Sequence, residues 1–113
     1  MMRAIEHCEG MPIRVAHIRD SGGLFGADRV ILNLVSEMNP AHFFPLLIPM
    51  TGDKRSDALE RAARERGVAV KPLRVSGRFD VRALWKLRAL LRENKIHILH
   101  CHDFKAQFYG VLA

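Results

Sequence analysis

Ile13-Arg14-Val15-Ala16-His17-Ile18-Arg19-Asp20-Ser21-Gly22-Gly23-Leu24-Phe25-Gly26-Ala27-Asp28-Arg29 decides the fold. Ile13 to Ile18 is apolar at most positions and β-branched at three, which suits a buried parallel strand, and Asp20 with the glycines supplies the turn that ends it. Downstream, Ile31, Leu34, Val35 and Met38 recur at the spacing of one helical face, and Asn39-Pro40 ends the pattern. The stretch is a βα unit with glycines at its joint.

The same alternation continues. Phe43 to Met50 reads as a second strand, although Pro45 and Pro49 predict partial pairing or a shorter element. Ser56 or Asp57 can cap a second helix with Leu59, Ala62 and Ala63 inward, and Gly67 is placed to close it in the left-handed conformation. Val68 to Leu73 is a short third strand. Asp80 caps a third helix whose Val81, Leu84, Leu87 and Leu91 form an apolar stripe, with Arg82, Lys86 and Arg92 opposite and Trp85 read as a packing residue. Ile96 to His102 is a fourth strand, and Asp103 is placed to cap a last helix that includes Ala106 to Ala113. Such alternation implies an α/β fold, a Rossmann-like parallel sheet with right-handed crossovers and helices on both faces. Residues 1–11 show no periodicity and read as a disordered leader. Residues 12–113 then form one Rossmann-like domain, expected to be incomplete at its C-terminus because the pattern stops inside a helix.

Composition bounds the partners. The 113 residues are 49% hydrophobic, as expected of a folded domain. The chain has no run long enough for a membrane span and no signal-peptide core at its start, so the expected location is cytoplasmic. Cys8 and Cys101 have no paired spacing, so free thiols are expected rather than a disulfide framework or zinc ribbon. A net charge of +6 favours anionic partners. Arg78, Arg82, Lys86, Arg88, Arg92 and Lys95 crowd the third helix and its ends, where a solvated face is the simpler reading and peripheral contact with anionic lipid at the inner membrane face the alternative. Aromatic residues do not interleave with these cations and no nucleic-acid motif is present, so no nucleic-acid partner is expected.

Two segments carry chemistry. Gly22, Gly23 and Gly26 let backbone amides approach an anion while the following helix points its free N–H groups at the same spot. The spacing is neither a Walker loop nor a dinucleotide fingerprint, and an unliganded tight turn is the structural alternative. The second segment is Ile98-Leu99-His100-Cys101-His102-Asp103. Strand alternation puts His100 and His102 on one side and the thiol of Cys101 on the other. Two histidines with Asp103 lack a further ligand pair, so no metal and no cofactor are expected. An imidazole at a strand end can instead hydrogen-bond a substrate hydroxyl or stabilise developing charge, against a core role for His100 and a capping role for Asp103. His42 and His97 read as ordinary surface or strand positions.

The strand and glycine loop from Ile13 to Arg29, Gly77-Arg78-Phe79-Asp80 before a leucine-rich helix, and Ile98 to Asp103, taken in this order, resemble the N-terminal domain of retaining GT-B glycosyltransferases of family four. The resemblance runs from about Pro12 to the end. It implies an acceptor-side domain that works with a nucleotide-sugar donor and a carbohydrate or lipid-linked acceptor, with hexosyl transfer by retention and no required metal. It also implies a place for His100 or His102 near the transferred sugar, with Gly22, Gly23, Gly26, Arg29 and Asp103 around the substrates. The donor domain, with its acidic motif and phosphate-binding Arg/Lys pair, is absent from the 113 residues, so the chain alone is expected to be inactive, as a truncated product or one half of a split enzyme. The alternative reading is a non-enzymatic α/β module that binds a phosphorylated ligand or a protein partner.

Overall fold

The computed structural model describes residues 2–4, 12–20, 26–51, 58–76 and 80–113. Along them run β1 (Met2–Ala4), β2 (Ile13–Asp20), α1 (Gly26–Glu37), β3 (Phe43–Thr51), α2 (Ala58–Glu65), β4 (Ala69–Val70), β5 (Leu73–Arg74), α3 (Val81–Glu93), β6 (Ile98–Cys101) and α4 (Phe104–Leu112). The expected Rossmann-like α/β sheet is present. Its strand order is β1-β6-β2-β3-β4, with β5 also on β3, and every pairing is parallel except that of β1 with β6.

From β2 the chain builds outward through β3 to β4 and β5, then crosses back to lay β6 on the other side of β2. The order therefore reverses between β2 and β6, and in open parallel sheets the carboxyl ends at such a reversal are where ligands bind.

The expected leader departs from the structure at Met2–Ala4, which pair antiparallel with Ile98–His100 as an edge strand. The expectation for Met1 and residues 5–11, like Cys8 among them, lies outside the described residues. Ser56 and Asp57 do as well.

Strand β3 pairs with β2 along eight consecutive residues, Phe43 to Met50, despite its two prolines. The reason is parity. Leu47 and Thr51 offer their carbonyls to the N–H groups of Lys71 and Val75 on the β4/β5 side. Pro45 and Pro49 share that odd parity, so their missing donors fall on the side where the ladder is broken into two short pieces. Pro72 divides what reads as one third strand into β4 and β5.

Two apolar layers cover the sheet. Ala16, Ile18, Leu46, Ile48, Leu99 and Cys101 face α3 and α4, whose Ala83, Leu87, Leu91, Ala106 and Tyr109 are buried against them. On the opposite face, Leu47, Val68 and Val70 meet Ile31, Leu32 and Val35 of α1 and Leu59 and Ala63 of α2. The buried stripe of α1 is thus Asp28, Ile31, Leu32 and Val35. Leu34, expected inward, is exposed. On α3 the inward residues are Ala83, Leu87 and Leu91, whereas Val81 and Trp85 are 52% and 63% exposed, so Trp85 does not pack the core. Arg88 lies over its ring.

Helix ends follow the expected chemistry. Gly67 closes α2 at φ 75°. The Asp80 carboxylate caps α3 by accepting from Arg82 and Ala83, and it also accepts from the N–H of Ser76. These amides, led by that of Ser76, hold its carboxyl below the usual carboxylate range. The Asp80 N–H in turn donates to the buried Tyr109 hydroxyl, tying the start of α3 to α4. Among the described residues no helix is long and apolar enough to cross a membrane.

Gly110 is required by close approach of α4 to β6. A Cβ there would stand 2.6 Å from Cys101 Sγ and 3.1 Å from Leu99 Cδ2. Alanine normally gains about 1 kcal/mol over glycine in a helix, yet overpacking costs about 1–3 kcal/mol. Gly110→Ala is therefore expected to lower stability in urea denaturation, and Cys101→Ala to recover part of the loss in the double variant. Stabilisation by Gly110→Ala alone would refute this close approach.

Candidate functional site

Parallel register brings the site together. Because β2 and β6 pair with His17 opposite His100, both imidazoles emerge on the α1/α2 face of the sheet, and His102 follows two residues on along β6. The rings of His100 and His102 are 4.0 Å apart between centroids, and His17 lies 5.4 Å from the first and 5.2 Å from the second. His17 is 1% exposed, whereas His100 and His102 are half-buried. Cys101, between the latter two, points to the opposite face, as the alternation predicts, and is buried there.

His17 Nδ1 and His102 Nε2 are 2.9 Å apart and share one proton-mediated contact. Among the described residues, His17 Nε2 is buried without a hydrogen-bond partner. A bare buried nitrogen acceptor costs less than a buried N–H with nowhere to donate. That difference assigns the proton to His17 Nδ1, which donates to His102 Nε2, and leaves the proton of His102 on its Nδ1.

Burial first, then repulsion from His102 and His100, lowers the His17 pKa to about 3. Desolvation, with repulsion from His100, lowers that of His102 to about 4 against the opposing pull of Asp103. Desolvation also lowers that of His100. The cluster is a set of neutral imidazoles at neutral pH.

Beside it runs a chain of carboxylates and one guanidinium. Asp103 Oδ1 accepts from the N–H of Ala106 at 2.8 Å, capping α4 as expected, and Oδ2 accepts from the N–H of Asp20 at 2.7 Å. Arg19 donates to the fully buried Asp28 at 2.9 Å and stands 3.6 Å from Asp103. Asp28 lies in the first turn of α1, where a negative charge also meets the positive end of the helix dipole. Lys105 is 4.0 Å from Asp20. At the other end of β2, the N–H of Arg14 donates to His97 Nδ1 at 2.8 Å, so His97 has a structural role that its sequence position did not announce.

Of the residues expected at a site, His100, His102 and Asp103 lie together at the carboxyl edge of β6. Gly26 opens α1, and Arg29 is exposed on its first turn. Gly22 and Gly23 lie outside the described residues. Three residues were not expected there: His17, Arg19 and Asp28. His17 is legible in the sequence as a strand residue, but its partnership depends on which strand lies beside β2 and in what register.

The model of Glycosyltransferase Family 4 matches residues 26–113. The chain belongs to glycosyltransferase family 4, and the matched region runs from α1 through α4, including His100, His102 and Asp103. No curated protein and no solved structure matches it.

The imidazole shifts fix a pH dependence. The unfolded His17 titrates near 6.5 and the folded one near 3, so between these values the unfolded chain binds more protons. The stability tied to neutral His17 is complete above about pH 6.5 and is lost as pH falls toward 3, by up to about 1.4 kcal/mol per pH unit. Urea midpoints measured from pH 7.5 down to 4.5 are expected to fall, and His17→Leu to give a flatter profile. Equal slopes for both proteins would contradict the burial of a neutral His17.

Proposed function

We propose that the chain is the acceptor-side domain of a retaining GT-B glycosyltransferase, which moves a hexosyl unit from a nucleotide sugar to a carbohydrate or lipid-linked acceptor. The observation that carries this reading is the convergence of His100, His102 and His17 at the strand reversal between β2 and β6, within a member of family 4.

In this reading the neutral imidazoles of His100 and His102 meet the sugar and offer hydrogen bonds to its hydroxyls as charge develops at the anomeric centre. His102 has Nδ1–H left to donate because His17 occupies its Nε2. Gly22, Gly23 and Gly26 bring backbone amides toward the donor diphosphate, and Arg29 adds a cation on the first turn of α1. Asp103 acts by holding β2 to α4. The nucleotide sugar is gripped mainly by a second, donor-binding domain, so the 113 residues alone bind it weakly and do not turn it over.

NMR titration with UDP-glucose, GDP-mannose and UDP, with a chelator present throughout, tests this reading. Weak saturable binding is expected for at least one probe, reduced threefold or more by His100→Ala or His102→Ala and unchanged by His42→Ala. Absence of binding, or binding indifferent to both site variants, counts against the site. Sugar transfer by the purified chain would overturn the need for a second domain.

A further inference from the structure

We propose that His17, His100 and His102 form a binding site for a divalent late transition-metal ion, zinc above all. The site shares His100 and His102 with the sugar-transfer reading, but its test reads metal uptake and not sugar binding, so either can fail without the other. It also departs from the expectation of no metal, which considered only His100 and His102 with Asp103.

Geometry supplies the missing ligand. One ring nitrogen from each of the three histidines lies within 4.8 Å of the others. Zinc bound to imidazole at about 2.0–2.1 Å in a tetrahedral arrangement sets its ligand nitrogens about 3.4 Å apart. The His17 and His102 nitrogens are held 2.9 Å apart by their hydrogen bond, which an ion would replace: His17 Nδ1 gives up its proton and the pair opens by about half an ångström so that both lone pairs turn toward the metal. His100, half-buried at the end of the sheet, needs a side-chain movement of roughly an ångström to close the third arm. Parallel pairing of β2 with β6 holds the backbones in register, so two of the three arms are anchored by the sheet itself.

The chemistry of the donors agrees. Imidazole suits zinc, copper and nickel, and neutral rings are the ligating form. Asp103 is not a candidate ligand, because Ala106 and Asp20 engage both its oxygens and Arg19 stands beside it. Its role is to fix the segment next to His102, as outer partners do around metal sites. Three nitrogens from the protein leave a fourth position for water or a small ligand, the pattern of an open centre rather than a closed structural one.

Equilibrium dialysis of the untagged chain against Zn²⁺, with Co²⁺ absorption as a spectroscopic check, decides the matter. One ion per chain is expected, with affinity reduced at least tenfold by His100→Ala and by His102→Ala and unchanged by His42→Ala. Bound Co²⁺ should give the intense visible bands of a four-coordinate centre. His17→Leu removes a fully buried side chain and can compromise folding. The half-buried variants, checked by circular dichroism, are therefore decisive. Lack of Zn²⁺ uptake at micromolar concentration, or uptake that persists undiminished in both half-buried variants, overturns the assignment.

Discussion

The carboxylate of Asp103 is the fastening on which the working end of this domain depends. One oxygen caps α4 and the other accepts from the amide of Asp20, where β2 ends and the glycine stretch begins. Arg19, beside it, reaches back to Asp28 in the first turn of α1. Two helix starts and the end of the central strand are thereby referred to a single side chain. Charge-assisted bonds of this kind are stronger than neutral ones, and here they act at the end of the pairing, next to the bond from the His102 N–H to the Ile18 carbonyl. Without Asp103, the register that places His17 opposite His100 would end in an untethered joint.

Much of this was legible in the sequence because it is local. Strand alternating with helix gives a parallel sheet, and Asp80, Asp103 and Gly67 carry the end chemistry of their helices within three or four residues of where it is used. The errors share a different character. Leu34 and Leu32 compete for the inward face of α1, and what decides between them is the buried Asp28, drawn in by Arg19 from a preceding strand. Trp85 has the bulk of a core residue but lies on the outer side of α3. Pro45 and Pro49 look damaging until the side to which their absent N–H groups point is known. Each depends on a partner that periodicity does not name.

His17 is the clearest case. Within Ile13 to Ile18 it reads as one polar interruption of an apolar strand, and His100 and His102 read as a pair with a neighbouring aspartate. Joining them requires three nonlocal facts: that β6 crosses back to lie beside β2, that it does so in parallel, and that His17 falls opposite His100 and not one residue away. A shift of one would send the ring to the α3/α4 face, among Ile18 and Cys101. The fold class was within reach of the sequence, but the membership of the cluster was not.

The sheet also separates two kinds of chemistry. Most cations of α3 stand on the face away from the imidazoles, so the net charge of +6 does not by itself describe the candidate site. Around the imidazoles, Arg19 is already committed to Asp28 and Asp103. What the site offers is neutral: ring nitrogens kept unprotonated by burial and by one another. Such groups attract a ligand by lone pairs and directed N–H bonds rather than by net charge. A polyhydroxylated sugar and a transition-metal ion both answer to that description, whereas a bare anion would have to be held by α1 and Arg29. The same desolvation that costs the fold stability in acid is what keeps all three rings in the form that either ligand requires.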